Sequence, residues 1–364
     1  MKFLNFLFVI LLLSNSIFSQ HQIQPGYVNT EYIELMKVNA HTVNPFPKLK
    51  IEAPSQFQRL YSAANWGLDN AWELWINDQQ TAVISVRGST QKIESWLLNF
   101  YAAMVPAQGS IPFYNNDTFH YSFTDNPNAA VHVGWLMAVA WMEKDVLSKI
   151  DSLQKTGING FYIVGHSQGG AIATLLTAHL LSLQQKGKIN NQIQFKTYCS
   201  AAPKAGNLHF SYAYTQLCKK GWEYNVVNAD DWVPEMPFSI QSFQDFNTVN
   251  PFKNANKLIK RLPFPQNLAI KYVYTKLNNP TKKAKKNYNK ILGKRVYRMV
   301  NKYNNSFVNQ TNNYSTNYMP VGTVVLLIGD TLYHQKYPSN DSNIFIHHSH
   351  SAYIYMANHN LIDD

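Results

Sequence analysis

Phe161-Tyr162-Ile163-Val164-Gly165-His166-Ser167-Gln168-Gly169-Gly170-Ala171 is the stretch on which the fold turns. Its first four residues read as a short buried strand. From Ala171 onward Ile172, Leu175, Leu176, Leu180 and Leu183 recur at helical spacing. The chain therefore passes from strand to helix within a few residues, with glycines two before and two after Ser167. Side chains at those positions would collide in so sharp a turn. The turn exposes the serine oxygen and aims the positive end of the following helix at any negative oxygen forming beside it. A bare G-x-S-x-G pattern is a weak signal. The preceding strand, the following helix and the small Gly170, Ala171 and Ala173 behind the turn make it specific, and Ser167 becomes the candidate nucleophile. A structural glycine turn with an inert serine is the competing reading.

Working outward, Trp72–Ile76, the turn Asn77-Asp78 and Thr81–Val86 predict a hairpin whose second strand is apolar enough to be central. Lys92–Asn99 and Val133–Ile150 predict helices, Phe195–Tyr198 and Tyr224–Val227 strands, and the core pattern returns at Val321–Ile328. Gln56–Ala71 is polar and aromatic with helical spacing, which predicts a helix outside the core. Strands alternating with helices imply an α/β fold, a mostly parallel central sheet with helices on both faces. Residues 101–130 break the pattern with Pro106, Gly109, Pro112, Pro127 and many aromatics, as a functional loop would.

The N-terminus carries Lys2, a nearly unbroken apolar run Phe3–Leu13, and small polar residues to Gln20. That is the layout of a signal peptide over residues 1–19, which implies a secreted or extracytoplasmic protein; an uncleaved anchor is the alternative. The run is short of the about 20 residues that span a bilayer, and no later segment reaches that length. The remaining chain, 20–364, is long enough for one large core. Its two cysteines, Cys199 and Cys218, make no disulfide scaffold, and whether they pair is open.

The net charge of +11 is unevenly placed. Between Pro251 and Lys302 there are 15 Lys and Arg and no Asp or Glu, so the rest of the chain is mildly acidic. Residues 251–317, rich in Lys and Asn with helical patches, read as a basic, largely helical insertion between two elements of one domain. Phe252, Leu258, Ile259, Leu262 and Phe264 interleave with the charges, which suits contact with an anionic membrane surface through 251–302. A solvated Lys-rich cap is an equal alternative. No nucleic-acid-binding module is visible, so no nucleic acid is expected.

Four segments in order resemble the class 3 (fungal-type) lipases, a branch of the α/β-hydrolases. They are Val86-Arg87-Gly88-Ser89 with Ser95-Trp96-Leu97; Val131-His132-Val133-Gly134-Trp135; Gly165–Gly170; and Thr197–Asn207, a strand ending in Ala202-Pro203 and Gly206-Asn207. The resemblance implies an oxyanion hole made by the backbone N–H of Gln168 and a donor from Ser89. It makes the aromatic segment 101–130 lid-like. It places the acid in Asn228-Ala229-Asp230-Asp231-Trp232-Val233-Pro234, two residues before Val-Pro at Asp231, with Asp230 as rival. The histidine of this fold follows the acid. His347, His348 and His350 offer themselves, and His348, five before Tyr353, is preferred over His350. Three histidines within four residues also suit a metal, but no Cys or carboxylate cluster accompanies them, so no metal or other cofactor is expected. The implied activity is ester hydrolysis by Ser167, His348 and Asp231 on acylglycerols, with phospholipid sn-1 cleavage second. A secreted lipid- or surface-binding protein without turnover is the rival class. Oligomeric state is not legible.

The interval from Asp231 to His348 is 117 residues, longer than in the fungal members, and the basic insertion lies within it.

Overall fold

The computed structural model describes residues 23–42, 51–112, 117–303 and 315–359; the signal peptide expected at 1–19, and Phe113 and Tyr114 of the aromatic segment, lie outside them. The chain opens with helix α1 (Asn29–His41), edge strand β1 (Gln58–Ser62) and the hairpin β2 (Trp72–Ile76) and β3 (Thr81–Val86). Helix α2 (Ile93–Phe100) leads to short strands β4 (Met104–Pro106), β5 (Gln108–Pro112), β6 (Thr118–Ser122) and β7 (Ala130–His132). The hydrolase-like alternation follows: α3 (Val133–Lys155), β8 (Gly160–His166), α4 (Gln168–Gln185), β9 (Gln194–Ser200), β10 (Gly206–Asn207), α5 (Leu208–Cys218) and β11 (Glu223–Asn228). The insertion contributes α6 (Ala255–Lys260), α7 (Gln266–Tyr288) and α8 (Val296–Tyr303). The chain returns through β12 (Tyr318–Met319), β13 (Val324–Leu327), α9 (Thr331–Lys336) and α10 (His350–His359).

Seven strands form the central sheet in the order β1-β2-β3-β8-β9-β11-β13. The two outermost pairings, β1 with β2 and β2 with β3, are antiparallel, and every later one is parallel. Successive side chains of a strand face opposite ways, so a sheet covered on both faces needs apolar residues at every position. Strand β8 meets that need. Phe161 and Ile163 join the core with Leu136 of α3 and Leu175 of α4, while Tyr162 and Val164 join the one with Tyr32 and Met36 of α1 and Tyr353 and Met356 of α10. This is the α/β-hydrolase architecture expected. Cys199 and Cys218 are separate buried thiols.

Three elements differ from expectation. Residues 56–71 hold β1 rather than a helix. As an edge strand exposed along most of its length it carries no period-two pattern, and Arg59 and Ser62 are held by the buried Glu73 of β2 at 3.3 and 3.0 Å. Helix α1 was not legible. Its buried residues, from Tyr32 through Ala40, run around most of the helix, so no single apolar stripe marks it. Segment 101–130 is built of strands, with β4 and β7 paired and β5 and β6 forming a hairpin. Its aromatics Phe119, Tyr121 and Phe123 are buried in the main core, the Phe119 ring 4.9 Å from that of His179 on α4.

The insertion leaves the sheet after β11 and returns at β13, which pairs with β11 itself. Between them α7 runs through a π-helical stretch, Asn289–Arg295, directly into α8. No helix among the described residues is long and apolar enough to cross a membrane.

Candidate functional site

Strand β8 ends one residue before Ser167, whose backbone lies at φ 61°, ψ −131°, a conformation side-chain-bearing residues rarely adopt. Such strain costs on the order of 1–3 kcal/mol and persists only where the surroundings hold it. Here Ser167 N–H donates to the Ser200 carbonyl at 2.9 Å, and Gly170 N–H donates to the Ser167 carbonyl at 2.9 Å. A Cβ on Gly165 would fall on the Gly169 carbonyl, and one on Gly169 on the Val86 carbonyl. The glycines are thus required by backbone approach, as the sequence pattern implied.

Asp231 lies just beyond β11 with its side chain fully buried, and its Oδ2 accepts a 2.7 Å hydrogen bond from His348 Nδ1. The same oxygen accepts from the Tyr353 hydroxyl at 2.8 Å, and Oδ1 accepts from Val233 N–H at 3.0 Å. Burial and the nearby Asp231 charge push the Tyr353 phenol well above its ordinary value, so it remains a donor. With Nδ1–H committed to Asp231, the lone pair of His348 Nε2 is free to take a proton. The backbone carbonyl of His348 is in turn fixed by His166 Nε2 at 2.7 Å.

The rivals have other partners. Asp230 pairs with His334 at 3.0 Å on the surface. His350 meets Asn39 Oδ1 at 3.0 Å and packs against the His166 ring at 4.0 Å. Burial, then the neighbouring His348 and His41, hold it down to about 3. His347 sits between the Tyr333 hydroxyl at 2.7 Å and Ser339 Oγ at 2.8 Å. The three histidines of the tail are thus parted among separate partners. No group of three or more His, Cys, Asp or Glu among the described residues is arranged to hold a metal.

The turn after β3 approaches the nucleophile closely, since a Cβ on Gly88 would come within 2.9 Å of the His166 carbonyl. Ser89 Oγ donates to Gln168 Oε1 at 3.3 Å and accepts from Asn99 Nδ2 at 2.9 Å. Gln168 is held by Ser95 through both side chain and backbone, at 3.2 and 3.0 Å, and Asn99 by Trp135 Nε1 at 3.0 Å. Asp69 clasps the same loop from behind through Thr90 at 2.6 Å, Lys92 at 2.9 Å and Arg87 at 3.3 Å. Burial opposes its ionisation, but these partners prevail and hold its carboxyl low. Asn99 and Asp69 were not anticipated. Asn99 did carry a signal, four residues after Ser95 on the same face of α2.

Ser89, Ser167, Gln168 and His348 all open onto one cavity of about 670 Å³. That is ample for a ligand of moderate size. Trp96 and Phe100 of α2, Trp232, Phe238, Phe345 and Leu292 of the insertion make much of its wall. Among the described residues of segment 101–130, only Ala102 reaches it.

Residues 83–241 match the family model described as Lipase (class 3). A secreted mono- and diacylglycerol lipase of Fusarium solani is 28% identical over 163 residues, which are 44% of this chain and 40% of that protein. A second protein of that description, from Gibberella zeae, is 34% identical over 109 residues, 29% of this chain and 32% of its own length. The chain thus spans less than half the length of the curated relatives it matches. Among solved structures, the Rhizomucor miehei lipase propeptide complex overlaps 59% of this chain and 65% of its own, with a TM-score of 0.42 and 17% identity.

Proposed function

We propose, from the match of residues 83–241 to the class 3 lipase family model, that this protein is a secreted serine hydrolase of carboxylic esters, acting on acylglycerols. The observation that carries the reading is the 2.7 Å pairing of His348 with buried Asp231, in a cavity shared with the strained Ser167.

In this reading Ser167 Oγ attacks the acyl carbonyl carbon as His348 Nε2 takes its proton. The oxyanion receives hydrogen bonds from the backbone N–H of Gln168 and from Ser89, each donor worth about 3 kcal/mol in the transition state. Collapse of the tetrahedral intermediate expels the alcohol, which takes the proton from His348. Water, deprotonated by the same ring, then releases the acyl group and restores Ser167. Asp231 keeps the ring in the required tautomer and stabilises the imidazolium. The apolar wall suits a fatty acyl chain, and the relatives' names support both acylglycerol substrates and export. The apolar run near the N-terminus also supports export. A phospholipase A1-type activity is the second reading, favoured by the concentration of positive charge in the insertion.

A fluorophosphonate probe tests the proposal. We expect the folded protein to be labelled at Ser167 and Ser167→Ala to be inert to the probe and to esters. A folded wild-type protein that resists labelling refutes the enzyme and leaves a lipid-binding protein on the same fold.

A further inference from the structure

Helix α7 carries two kinds of surface that water alone does not explain. Ile270, Val273 and Leu277, spaced i, i+3 and i+7, are all exposed, and Ile291 beyond the helix is exposed as well. Residues at that spacing lie on one side of a helix. Lys271, Lys276, Lys282, Lys283 and Lys286 of the same helix are exposed too. Its contacts with the body are made by other residues: Tyr274 stacks on Phe243 with ring centroids 5.3 Å apart, Lys285 approaches Asp245 at 3.6 Å, and Asn278 and Tyr288 are buried.

The helix is also tied to the rim of the cavity. The π-helical stretch that extends it brings Leu292 into the cavity wall, and Val296 and Val300 of α8 enter the main core, where Tyr297 meets Tyr101 next to α2. Around the opening, Phe100, Trp232, Phe238 and Phe345 are exposed apolar side chains. A row of apolar residues and a run of uncompensated lysines thus accompany a cavity with an aromatic rim.

We propose that α7 and its extension through Ile291 dock the protein on a lipid surface containing anionic headgroups. A lipid surface satisfies both features at once, because lysines are drawn to the headgroups while the apolar row enters the interfacial layer. Nucleic acid would engage the charge but leave the apolar row in water. Docking needs no reaction at Ser167. That the docked surface also supplies the substrate rests on the ester-hydrolase reading.

The test uses the full mature chain bearing Ser167→Ala, so that no product forms, with vesicles of phosphatidylcholine alone or with about a third phosphatidylglycerol. We expect cosedimentation with the anionic vesicles only, weakened at high salt. Replacing Lys276, Lys282, Lys283 and Lys286 together by Gln should lower the partition coefficient by several hundredfold, at roughly a factor of five for each charge near the surface. Val273→Ser with Leu277→Ser should weaken binding while leaving its salt dependence in place. Folding of each variant is checked in the Ser167 background by unchanged turnover of a water-soluble short ester, or by an unchanged melt if no ester is turned over. Equal binding to neutral and anionic vesicles, or anionic binding untouched by the lysine replacements, overturns the proposal. So does duplex DNA that binds more tightly than the vesicles and displaces them. Docking that persists in a Ser167 protein unable to turn over any ester refutes the hydrolase reading alone.

Discussion

The turn at Ser167 and the helical run through residues 266–303 are held in opposite ways. At the turn the constraint is backbone against backbone: carbonyls occupy the space that side chains at Gly165 and Gly169 would need, and Ser167 N–H is bound to a neighbouring strand. Little can change there without moving the sheet. Helix α7 has only Asn278 and Tyr288 buried along 23 residues, and the run becomes strongly tied to the body only at its end, through Leu292, Val296 and Val300. The difference teaches where each property of the site resides. In the proposed reading the bond-making chemistry sits on the part held backbone to backbone, while the insertion reaches the cavity wall through Leu292 and otherwise lies outside it. Substitutions near the turn should therefore alter rate, and those in the insertion should alter what is bound.

The largest effect tests the rigid half. His348→Ala and Asp231→Asn should each lower kcat by about 10⁴ with the fold intact, because one removes the base and the other leaves its ring in the wrong tautomer. His350→Ala should retain kcat within about tenfold, since His350 is committed to Asn39 and packed on His166. Turnover of a p-nitrophenyl ester, with a thermal melt for each variant, measures this. Loss of turnover in His350→Ala with retention in His348→Ala would move the base to His350 and break the assignment on which the comparison stands.

The turn was legible because its constraint is local in sequence. Two glycines, a serine, an apolar strand and a periodic helix lie within about 25 residues, and the physics that requires them acts over the same span. Asp231 and His348 were legible only through a resemblance, since 117 residues separate two atoms that the fold brings to 2.7 Å. Asn99 escaped because its task, a 2.9 Å donor to Ser89, depends on how α2 docks and not on any run of residues. Asn39 and Thr42 line the cavity from the end of α1, a helix that no periodic pattern announces. The strands within 101–130 were hidden by prolines, yet Pro106 and Pro112 occur at strand ends, where a missing N–H is tolerated. Leu292 carries no such signal, because nothing in the composition of 251–317 distinguishes a side chain that turns back to the cavity.

A second prediction sharpens the contrast through pH. His132, His166 and His350 are all buried within the rigid half, and burial comes first among the causes that depress each, to about 3 for His132 and His350. A histidine whose folded value lies below its unfolded value of about 6.5 contributes stability that is fully present above pH 6.5 and is lost as pH falls towards the folded value. Between pH 6.5 and 5, His132 and His350 should each cost about 2 kcal/mol as the unfolded chain takes up protons that the folded chain refuses, and His166 acts in the same direction. Urea unfolding at the two pH values reads the sum, and replacing His350 by Gln should remove about one histidine's share of the slope. A midpoint that does not move between pH 6.5 and 5 would mean that these rings accept protons in the folded state.

The smallest effect falls on the insertion, and it decides whether that segment belongs to the active site at all. Leu292 is half-buried in the cavity wall with Phe100 and Phe238, on a π-helical turn, an irregularity frequent at functional sites. Truncating it removes apolar contact from whatever fills that part of the cavity, and one methylene in an apolar pocket is worth about 1–3 kcal/mol of discrimination at most. A long acyl chain would reach that wall and a short one would not. Leu292→Ala should therefore lower kcat/KM for a long-chain ester by up to about tenfold while leaving an acetyl or butyryl ester unchanged. Because the residue is only half-buried, its removal should destabilise by less than the 2–5 kcal/mol typical of a fully buried leucine, so a melt separates lost selectivity from lost fold. Lys290→Gln, two residues away and exposed, is the control and should leave the ratio of long- to short-chain turnover as it was. If Leu292→Ala leaves it unchanged as well, the insertion serves only the outer surface, and the acyl site is shaped by the wall residues outside it.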